Sequence, residues 1–235
     1  MTLRLAVFAS GRGSNLLALH DAIQDGRIPG AELALVVCDR PEAPVVSKVW
    51  ERKLPIFVFN SKDFPGKADY EQTIHEQLTE NGIGLIVLAG YLRLIGPTLL
   101  KPWEGRIINL HPSLLPKFPG KDAIKQAWKA GVSATGVTVH FVDSGIDSGP
   151  VIAQEQVWRK ADDTLETLSE RIHQTEHRLL PEVVRALVAR GPLRVWEKIR
   201  FEAVAVAAAN SGRFASPDAR LAECGGCSPS RGRRQ

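Results

Sequence analysis

The sequence has little cysteine, no long apolar run and no large excess of either charge. Three cysteines among 235 residues are too few, and odd in number, for a disulfide framework, so a cytoplasmic location is expected. No apolar run reaches the roughly twenty residues that cross a membrane. The first apolar run, at residues 3–9, meets a glycine-rich loop too soon to be a signal peptide.

The charge of the chain excludes few classes of substrate or partner, whereas its apolar content excludes a wholly disordered protein. The 30 basic and 26 acidic residues are scattered without a basic helix, and a net charge of +4 suits anionic small substrates as well as nucleic acid. Hydrophobic residues make up 44% of the chain, which is enough for a substantial core. No internal repeat is visible.

Strand-like apolar runs alternate with helical periodicity as far as residue 190. The predicted strands lie at residues 3–9, 32–38, 55–59, 83–90, 135–143 and 151–158, with a further strand beginning at 107. The predicted helices lie at residues 16–23, 43–52, 67–81, 122–130 and 164–190; Asp162 or Asp163 is expected to cap the last, and a break at Pro181 is left open. This alternation predicts an α/β fold with a doubly wound, mostly parallel sheet.

The composition changes near residue 200. Residues 211–235 are rich in Gly, Ser, Pro and Arg, which predicts a single catalytic domain over residues 1–198 and a disordered C-terminal extension over 199–235. Cys224 and Cys227 form a lone C-x-x-C pair, and no second pair is present to complete a structural zinc site.

Two polar residues stand at the end of the apolar strand that begins at Ile107. Asn109 and His111 are two residues apart, so their side chains project from the same face of the strand before three prolines end it. Ligands of open α/β sheets bind at the carboxyl ends of strands. A catalytic pair and ordinary loop-entry residues both remain open on this spacing alone.

A glycine-rich loop, Ser10–Asn15, lies between the first predicted strand and the first predicted helix. Free backbone N–H groups and the positive end of a helix dipole at such a loop favour phosphate. Leu16 stands where a dinucleotide motif needs its third glycine, and no Lys-Ser/Thr pair follows, so a phosphate monoester is favoured over NAD or ATP. A plain turn with Ser14 as the helix N-cap is the alternative.

Other polar positions are ambiguous when taken singly. Tyr91–Ile95 is an apolar patch around one charge, either a wall for a flat heterocycle or a surface segment with a solvated Arg93. His140 on a predicted strand is more often structural, Asp147 could be a turn former, and Glu176 follows the pattern of a solvated helix face.

Five motifs in register resemble the phosphoribosylglycinamide formyltransferase family over residues 1–198. They are Ser10–Asn15, Leu88–Arg93, Asn109–Pro116, Gly136–Val142 and Asp147–Ile152. The resemblance implies a Rossmann-like formyltransferase fold and a one-carbon transferase of purine biosynthesis. It would move the formyl group of 10-formyltetrahydrofolate, a co-substrate, to the amine of glycinamide ribonucleotide without a metal. Small molecules, rather than nucleic acid or a membrane, would be its partners, and it would be a monomer or a homodimer.

The resemblance also implies a role for each matching residue. Asn109 would donate to the oxyanion of the tetrahedral intermediate, His111 would stabilise it as an imidazolium, and Asp147 would stay ionised and help move the proton. The ribonucleotide would be bound by Gly13, Ser14, Asn15, Lys67 and Glu176. The folate would be bound by Leu88, Tyr91, Leu92, Arg93, Ile95, Asn109, Val142 and Ile146, with Thr138 and His140 behind the reacting groups. Residues 121–124 stand where some relatives carry histidines, so contacts from that loop are left open.

Three other functions are alternatives to this transferase. A formyltetrahydrofolate hydrolase tends to read His-His-Ser where this chain reads His111-Pro112-Ser113, and has a regulatory domain before the catalytic sheet. A methionyl-tRNA formyltransferase has a C-terminal β domain of about a hundred residues, which the extension here is too short to form. A non-catalytic phosphate-binding module remains possible because fold does not determine function.

Overall fold

Seven strands form a single sheet within residues 2–193 and 196–197, the part of the chain that the computed structural model describes. They are β1 (Leu3–Phe8), β2 (Ala31–Cys38), β3 (Ile56–Val58), β4 (Leu85–Leu88), β5 (Ile107–His111), β6 (Ala134–Phe141) and β7 (Val151–Trp158). Their order across the sheet is β3-β2-β1-β4-β5-β6-β7. Neighbours from β3 to β5 are parallel, whereas β6 and β7 are antiparallel to their neighbours, so the predicted doubly wound, mostly parallel α/β sheet is confirmed.

Helices cover both faces of this sheet. They are α1 (Ser14–Gln24), α2 (Pro44–Glu51), α3 (Lys67–Glu80), α4 (Pro97–Leu100), α5 (Ala123–Lys129) and α6 (Leu165–Arg190), with 3-10 turns at Ser61–Asp63 and Lys101–Trp103. Alternate residues of β1 face opposite sides, as the pleat requires. Leu5 and Val7 pack with α1, α2 and α6, while Ala6 and Phe8 pack with α3 and α4. Two apolar cores therefore hold the sheet between helical layers.

The structure of the last helix corrects one prediction and decides one point that the sequence left open. Thr164 caps α6, so the predicted cap at Asp162 or Asp163 is wrong: the Thr164 hydroxyl accepts from the N–H of Thr167, whose hydroxyl accepts from the N–H of Thr164. The helix also continues through Pro181. Proline removes one helical hydrogen bond, but Pro181 is buried among core residues of α6, and this packing offsets the loss.

The sheet places the predicted polar residues side by side. The strand order reverses between β1 and β4, where open α/β sheets bind ligands. Asn109 of β5 pairs with Leu88 of β4 on one side and with His140 of β6 on the other. No helix of the described residues is long and apolar enough to cross a membrane. The predicted extension, with Cys224 and Cys227, lies outside the described residues.

Candidate active site

A cleft of about 1100 Å³ opens along the carboxyl edge of the sheet. The residues that line it include nearly every one that the sequence predicts for substrate binding or catalysis: Gly13, Ser14, Asn15, Lys67, Leu88, Tyr91, Leu92, Arg93, Ile95, Asn109, His111, His140, Val142, Ile146, Asp147 and Glu176. Thr138 is fully buried beneath this lining. Residues 120–125, whose contribution the sequence left open, also line the cleft.

Asn109, His111 and Asp147 meet at the centre of this cleft. The Nδ2 of Asn109 donates to the Oδ1 of Asp147 at 3.1 Å and lies 3.1 Å from the Nε2 of His140. The Nδ1 of His111 lies 3.3 Å from the Oδ2 of Asp147. One carboxylate therefore contacts both polar side chains of β5.

His111 is held at both ring nitrogens. Its side chain is buried, and its Nε2 lies 2.9 Å from the carbonyl oxygen of Phe118 while its Nδ1 faces Asp147. An acceptor oxygen at each nitrogen suits the doubly protonated ring, which carries two N–H donors. The proline-rich loop after β5 thus orients the imidazole through the backbone carbonyl of Phe118, and a backbone contact of this kind is not indicated by residue types.

Asp147 is placed to stay ionised. Burial alone would raise the pKa of its carboxyl, but the hydrogen bond from His140, the N–H of Gly120 at 2.7 Å and the nearby charge of His111 outweigh burial and lower that pKa to about 2. Its backbone is left-handed, with φ 51°, which is uncommon outside glycine. The compact turn predicted around this residue therefore presents its carboxylate to β5.

Thr138 and His140 act on different parts of the site. Thr138 donates from its hydroxyl to the carbonyl of Ser113 at 2.6 Å and accepts from the N–H of Leu115 at 3.2 Å, so it fixes the proline-rich turn. His140 contacts both Asn109 and Asp147, because its Nε2 lies 3.1 Å from the Nδ2 of Asn109 and 3.5 Å from the Oδ1 of Asp147.

The glycine loop forms a helix N-terminus that faces the cleft. Gly13 precedes α1 with a left-handed φ of 72°, and Ser14 is the first helical residue, so the alternative in which Ser14 is the N-cap is wrong. A Cβ on Gly13 would lie 2.4 Å from the Cγ2 of Val45, so glycine is needed both for its φ and for this close approach. The N–H groups of the first turn have no partner within the helix and are available to an anion.

Glu176 lies beside this loop on α6. It is only 4% exposed, so the pattern-based reading of a solvated helix face is wrong. Its Oε2 accepts from the Nδ2 of Asn15 at 3.0 Å and lies 2.9 Å from the Nδ1 of His173, a cleft residue that the sequence did not single out. Lys67 reaches the same cleft from the start of α3, with its Nζ 3.8 Å from the Oε1 of the buried Glu71.

The opposite side of the cleft is an apolar wall, residues 91–95. Leu92 and Leu94 are 51% and 61% exposed, and Ile146, which also lines the cleft, is 56% exposed. Tyr91 packs edge-on against Phe8 with ring centroids 5.2 Å apart, and burial raises the pKa of its hydroxyl, so the ring is neutral.

Arg93 of this wall is not a freely solvated side chain. Its Nε donates to the Oδ2 of Asp39 at 2.6 Å. Burial alone would lower the pKa of Arg93, but the Asp39 carboxylate outweighs burial and raises it. Asp39 was not predicted as a site residue, although its place directly after β2, at the carboxyl edge of the sheet, was a usable signal. His173 and Glu71 lie within helices and carried no such signal.

Known proteins resemble this chain over the whole site. A family model described as formyl transferase matches residues 3–184. The phosphoribosylglycinamide formyltransferase of Bacillus subtilis (strain 168) is 49% identical over 185 residues, which are 79% of this chain and 94% of that protein. Glycinamide ribonucleotide transformylase 1 from Geobacillus kaustophilus is 56% identical, with a TM-score of 0.78 over 80% of this chain and 100% of that structure. A trifunctional purine biosynthetic protein of Drosophila pseudoobscura pseudoobscura is 41% identical over 201 residues, and the chain spans 15% of its length.

The fold and the cleft define a formyl transferase, and this chain belongs to that family. Within the family, the predicted resemblance to the phosphoribosylglycinamide formyltransferases is confirmed, as is the prediction that the chain is an enzyme of this class. The matched residues 3–184 contain every predicted site residue, from Gly13 to Glu176. The role of each individual side chain stays a prediction.

Proposed function

We propose that this cleft transfers the formyl group of 10-formyltetrahydrofolate to the amine of 5'-phosphoribosylglycinamide. The products are 5'-phosphoribosyl-N-formylglycinamide and tetrahydrofolate, within de novo purine (IMP) biosynthesis. One observation carries the proposal: Asn109, His111 and Asp147 form one group, in which Asp147 contacts the other two, in a cleft that also has a glycine loop suited to phosphate and an apolar wall suited to a pterin ring.

Formyl transfer places negative charge on the formyl oxygen when the amine attacks the carbon. In the proposal, Asn109 donates a hydrogen bond to this oxygen from its Nδ2, and His111, held as an imidazolium between Asp147 and the Phe118 carbonyl, stabilises the same charge. Donors already fixed by their neighbours need little rearrangement when the charge develops.

Asp147 has two parts in this proposal. Because its pKa is lowered to about 2, it is ionised at any pH at which the chain is expected to work, and it favours the charged form of His111. Its carboxylate also lies where it can help to move the proton that the amine loses to the folate nitrogen that leaves.

The ribonucleotide would lie along the glycine loop. The first-turn N–H groups at Gly13, Ser14 and Asn15 would bind its phosphate, with Lys67 as a second contact. The buried carboxylate of Glu176 would accept from the amine or from a ribose hydroxyl. This arrangement would direct the amine toward the centre of the cleft.

The folate would lie against the apolar wall. Leu88, Tyr91, Leu92, Arg93, Ile95, Val142 and Ile146 line that side, together with Asn109. No step in the proposal requires a metal. A cytoplasmic monomer or homodimer with small-molecule partners is part of the same proposal, as is a catalytic domain that ends at residue 198.

The test measures the absorbance change of 10-formyltetrahydrofolate with and without glycinamide ribonucleotide. We expect loss of the formyl group only when the ribonucleotide is present. Equal loss without it would indicate a formyltetrahydrofolate deformylase, in which water replaces the amine. No loss in either case would indicate a non-catalytic binding module.

A further inference from the structure

Asp39 is a buried carboxylate outside the lining of the cleft. It follows β2 directly and is 3% exposed. The hydroxyl of Ser10 donates to its Oδ1 at 2.5 Å, and the Nε of Arg93 donates to its Oδ2 at 2.6 Å. Both carboxylate oxygens therefore accept charge-assisted or short hydrogen bonds, as a buried charge requires.

These bonds connect Asp39 to the apolar wall at two consecutive residues. Ser10 accepts from the N–H of Leu92 at 3.0 Å, so the wall is bound through its backbone as well as through the Arg93 side chain. Ser10 also donates from its own N–H to the carbonyl of Gly90 at 3.1 Å. The ends of β1 and β2 thus hold the segment that follows β4.

The wall needs such support because it lies in neither a helix nor a strand. The wall lies between the end of β4 at Leu88 and the start of α4 at Pro97, and residues 91–95 belong to neither element. Arg93 lies between two partners, with its guanidinium carbon 5.8 Å from the ring centroid of Tyr70 and its Nε on Asp39.

We propose that Asp39 is a positioning residue for the folate side of the cleft. Through Ser10 and Arg93 it fixes the path of residues 91–95, and so determines the affinity for the formyl donor. This inference rests on the function proposed above. A buried ion pair adds little net stability compared with apolar packing, and such pairs can instead specify one conformation. At Asp39, the conformation specified is that of the wall.

The inference predicts an effect on one substrate only. The groups proposed to bind the ribonucleotide lie at Gly13 and in α1, α3 and α6. The side-chain bonds of Asp39 lead instead to Arg93 and to the hydroxyl of Ser10, which starts the glycine loop but accepts from the N–H of Leu92 in the wall. Loss of the Asp39 charge should therefore weaken folate binding and leave ribonucleotide binding and the chemical step nearly unchanged.

A second carboxylate–arginine pair provides a matched control. Asp163 accepts from the two terminal nitrogens of Arg171 at 2.6 and 2.5 Å, and its side chain is 3% exposed, compared with 2% for Asp39. This pair lies outside the lining of the cleft. A general loss of stability from a broken ion pair should appear when either aspartate is replaced. A weaker binding of folate should appear only when Asp39 is replaced.

The experiment compares Asp39→Asn with Asp163→Asn in the full chain. We expect Asp39→Asn to raise the KM for 10-formyltetrahydrofolate and the calorimetric Kd for tetrahydrofolate about tenfold, with kcat and the ribonucleotide KM within about twofold. Asp163→Asn should leave all four constants unchanged. In an Arg93→Ala background, Asp39→Asn should raise the tetrahydrofolate Kd by a smaller factor than it does in the wild-type chain, because the two residues act through one contact.

Several results would overturn the inference. An unchanged tetrahydrofolate Kd, an equal rise in both KM values, or full additivity with Arg93→Ala would each do so. If Asp39→Asn does not fold, Ser10→Ala breaks the link to the Leu92 N–H and should raise the same Kd by a smaller factor; no rise would again refute the inference. A wild-type chain that binds tetrahydrofolate without transferring formyl would refute the proposed function alone, and one that does not bind it would refute both.

Discussion

In the proposed function the cleft has two halves. The acceptor half, where the ribonucleotide that accepts the formyl group would bind, has Asn15, Lys67, His173 and Glu176 beside the glycine loop. The donor half, where the folate that donates the formyl group would bind, is formed by the apolar wall with Val142 and Ile146. In the acceptor half the side chains belong to helices, and two of them donate to the buried carboxylate of Glu176. In the donor half the side chains are apolar apart from Arg93, and they belong to segments without regular structure. Leu92, Leu94 and Ile146 are exposed, and the others are partly buried.

This difference determines what a substitution should change. Helices set the positions of the acceptor groups, so removing one polar atom there should remove one contact. The path of the apolar wall is fixed by hydrogen bonds from residues outside the cleft lining. A substitution at one of those residues, which touch no substrate, can therefore alter the path of the wall. Asn109, His111 and Asp147 lie where the halves meet and should affect neither binding step alone.

The largest effect is expected at this meeting point. Asn109→Ala removes an oxyanion donor that is neither acid nor base, so kcat should fall about 10²-fold or more, with both KM values within a few-fold. Steady-state kinetics with each substrate varied in turn would measure this split.

Asn81→Ala, at the C-terminal end of α3 and away from the cleft, is the control for loss of an asparagine that bonds to backbone. Near-normal turnover by folded Asn109→Ala protein would contradict the assignment. A rise in the KM of one substrate alone would indicate that Asn109 binds that substrate rather than acting on the reacting groups.

An intermediate effect is expected in the acceptor half. Glu176→Gln keeps the shape of the side chain but removes its charge, so the ribonucleotide KM should rise about tenfold while the folate KM stays unchanged. Titration of each substrate against the variant would measure both constants.

Glu170→Gln is the control on the same helix, because Glu170 is exposed. It should leave both constants unchanged. If Glu176→Gln raised the two KM values equally, the halves would not be independent, and the comparison between them would fail.

Periodicity was sufficient to predict the glycine loop before α1 and the strand that carries Asn109 and His111, whereas the roles proposed for these two residues, and for Lys67 and Glu176, came from the family resemblance. The glycine loop before α1 and the alternation of apolar runs have direct local causes, so these elements could be predicted before any contact was known. Glu176 was different. Its polar stretch resembles a solvated face, yet this side of α6 faces the cleft, and only the packing of α6 on the sheet decides that.

Contacts that depend on backbone groups or irregular segments could not be predicted in this way. His111 is oriented by the backbone carbonyl of Phe118, and Asp147 is contacted by the backbone N–H of Gly120. Because nearly every residue carries these backbone groups, the sequence does not indicate which of them make the contacts. Asp39 could be recognised in the sequence as a polar residue after a strand. Its partner Arg93, however, lies 54 positions away in a loop whose course the sequence does not determine. The family resemblance indicated Asp147, whereas turn composition alone did not.

The smallest effect is expected from a direct contact in the donor half. Leu92→Ala should raise the folate KM only about threefold, because a side chain that is 51% exposed in the free protein gives up limited apolar area to a ligand, and the ribonucleotide KM should not change. Leu193→Ala is the matched control, since Leu193 is 46% exposed and lies outside the cleft lining. Folate binding measured for both variants, beside Asp39→Asn, would compare a residue that touches the ligand with one that holds the wall. A larger loss from Leu92→Ala than from Asp39→Asn would mean that the exposed leucine, and not the support behind the wall, dominates the donor half.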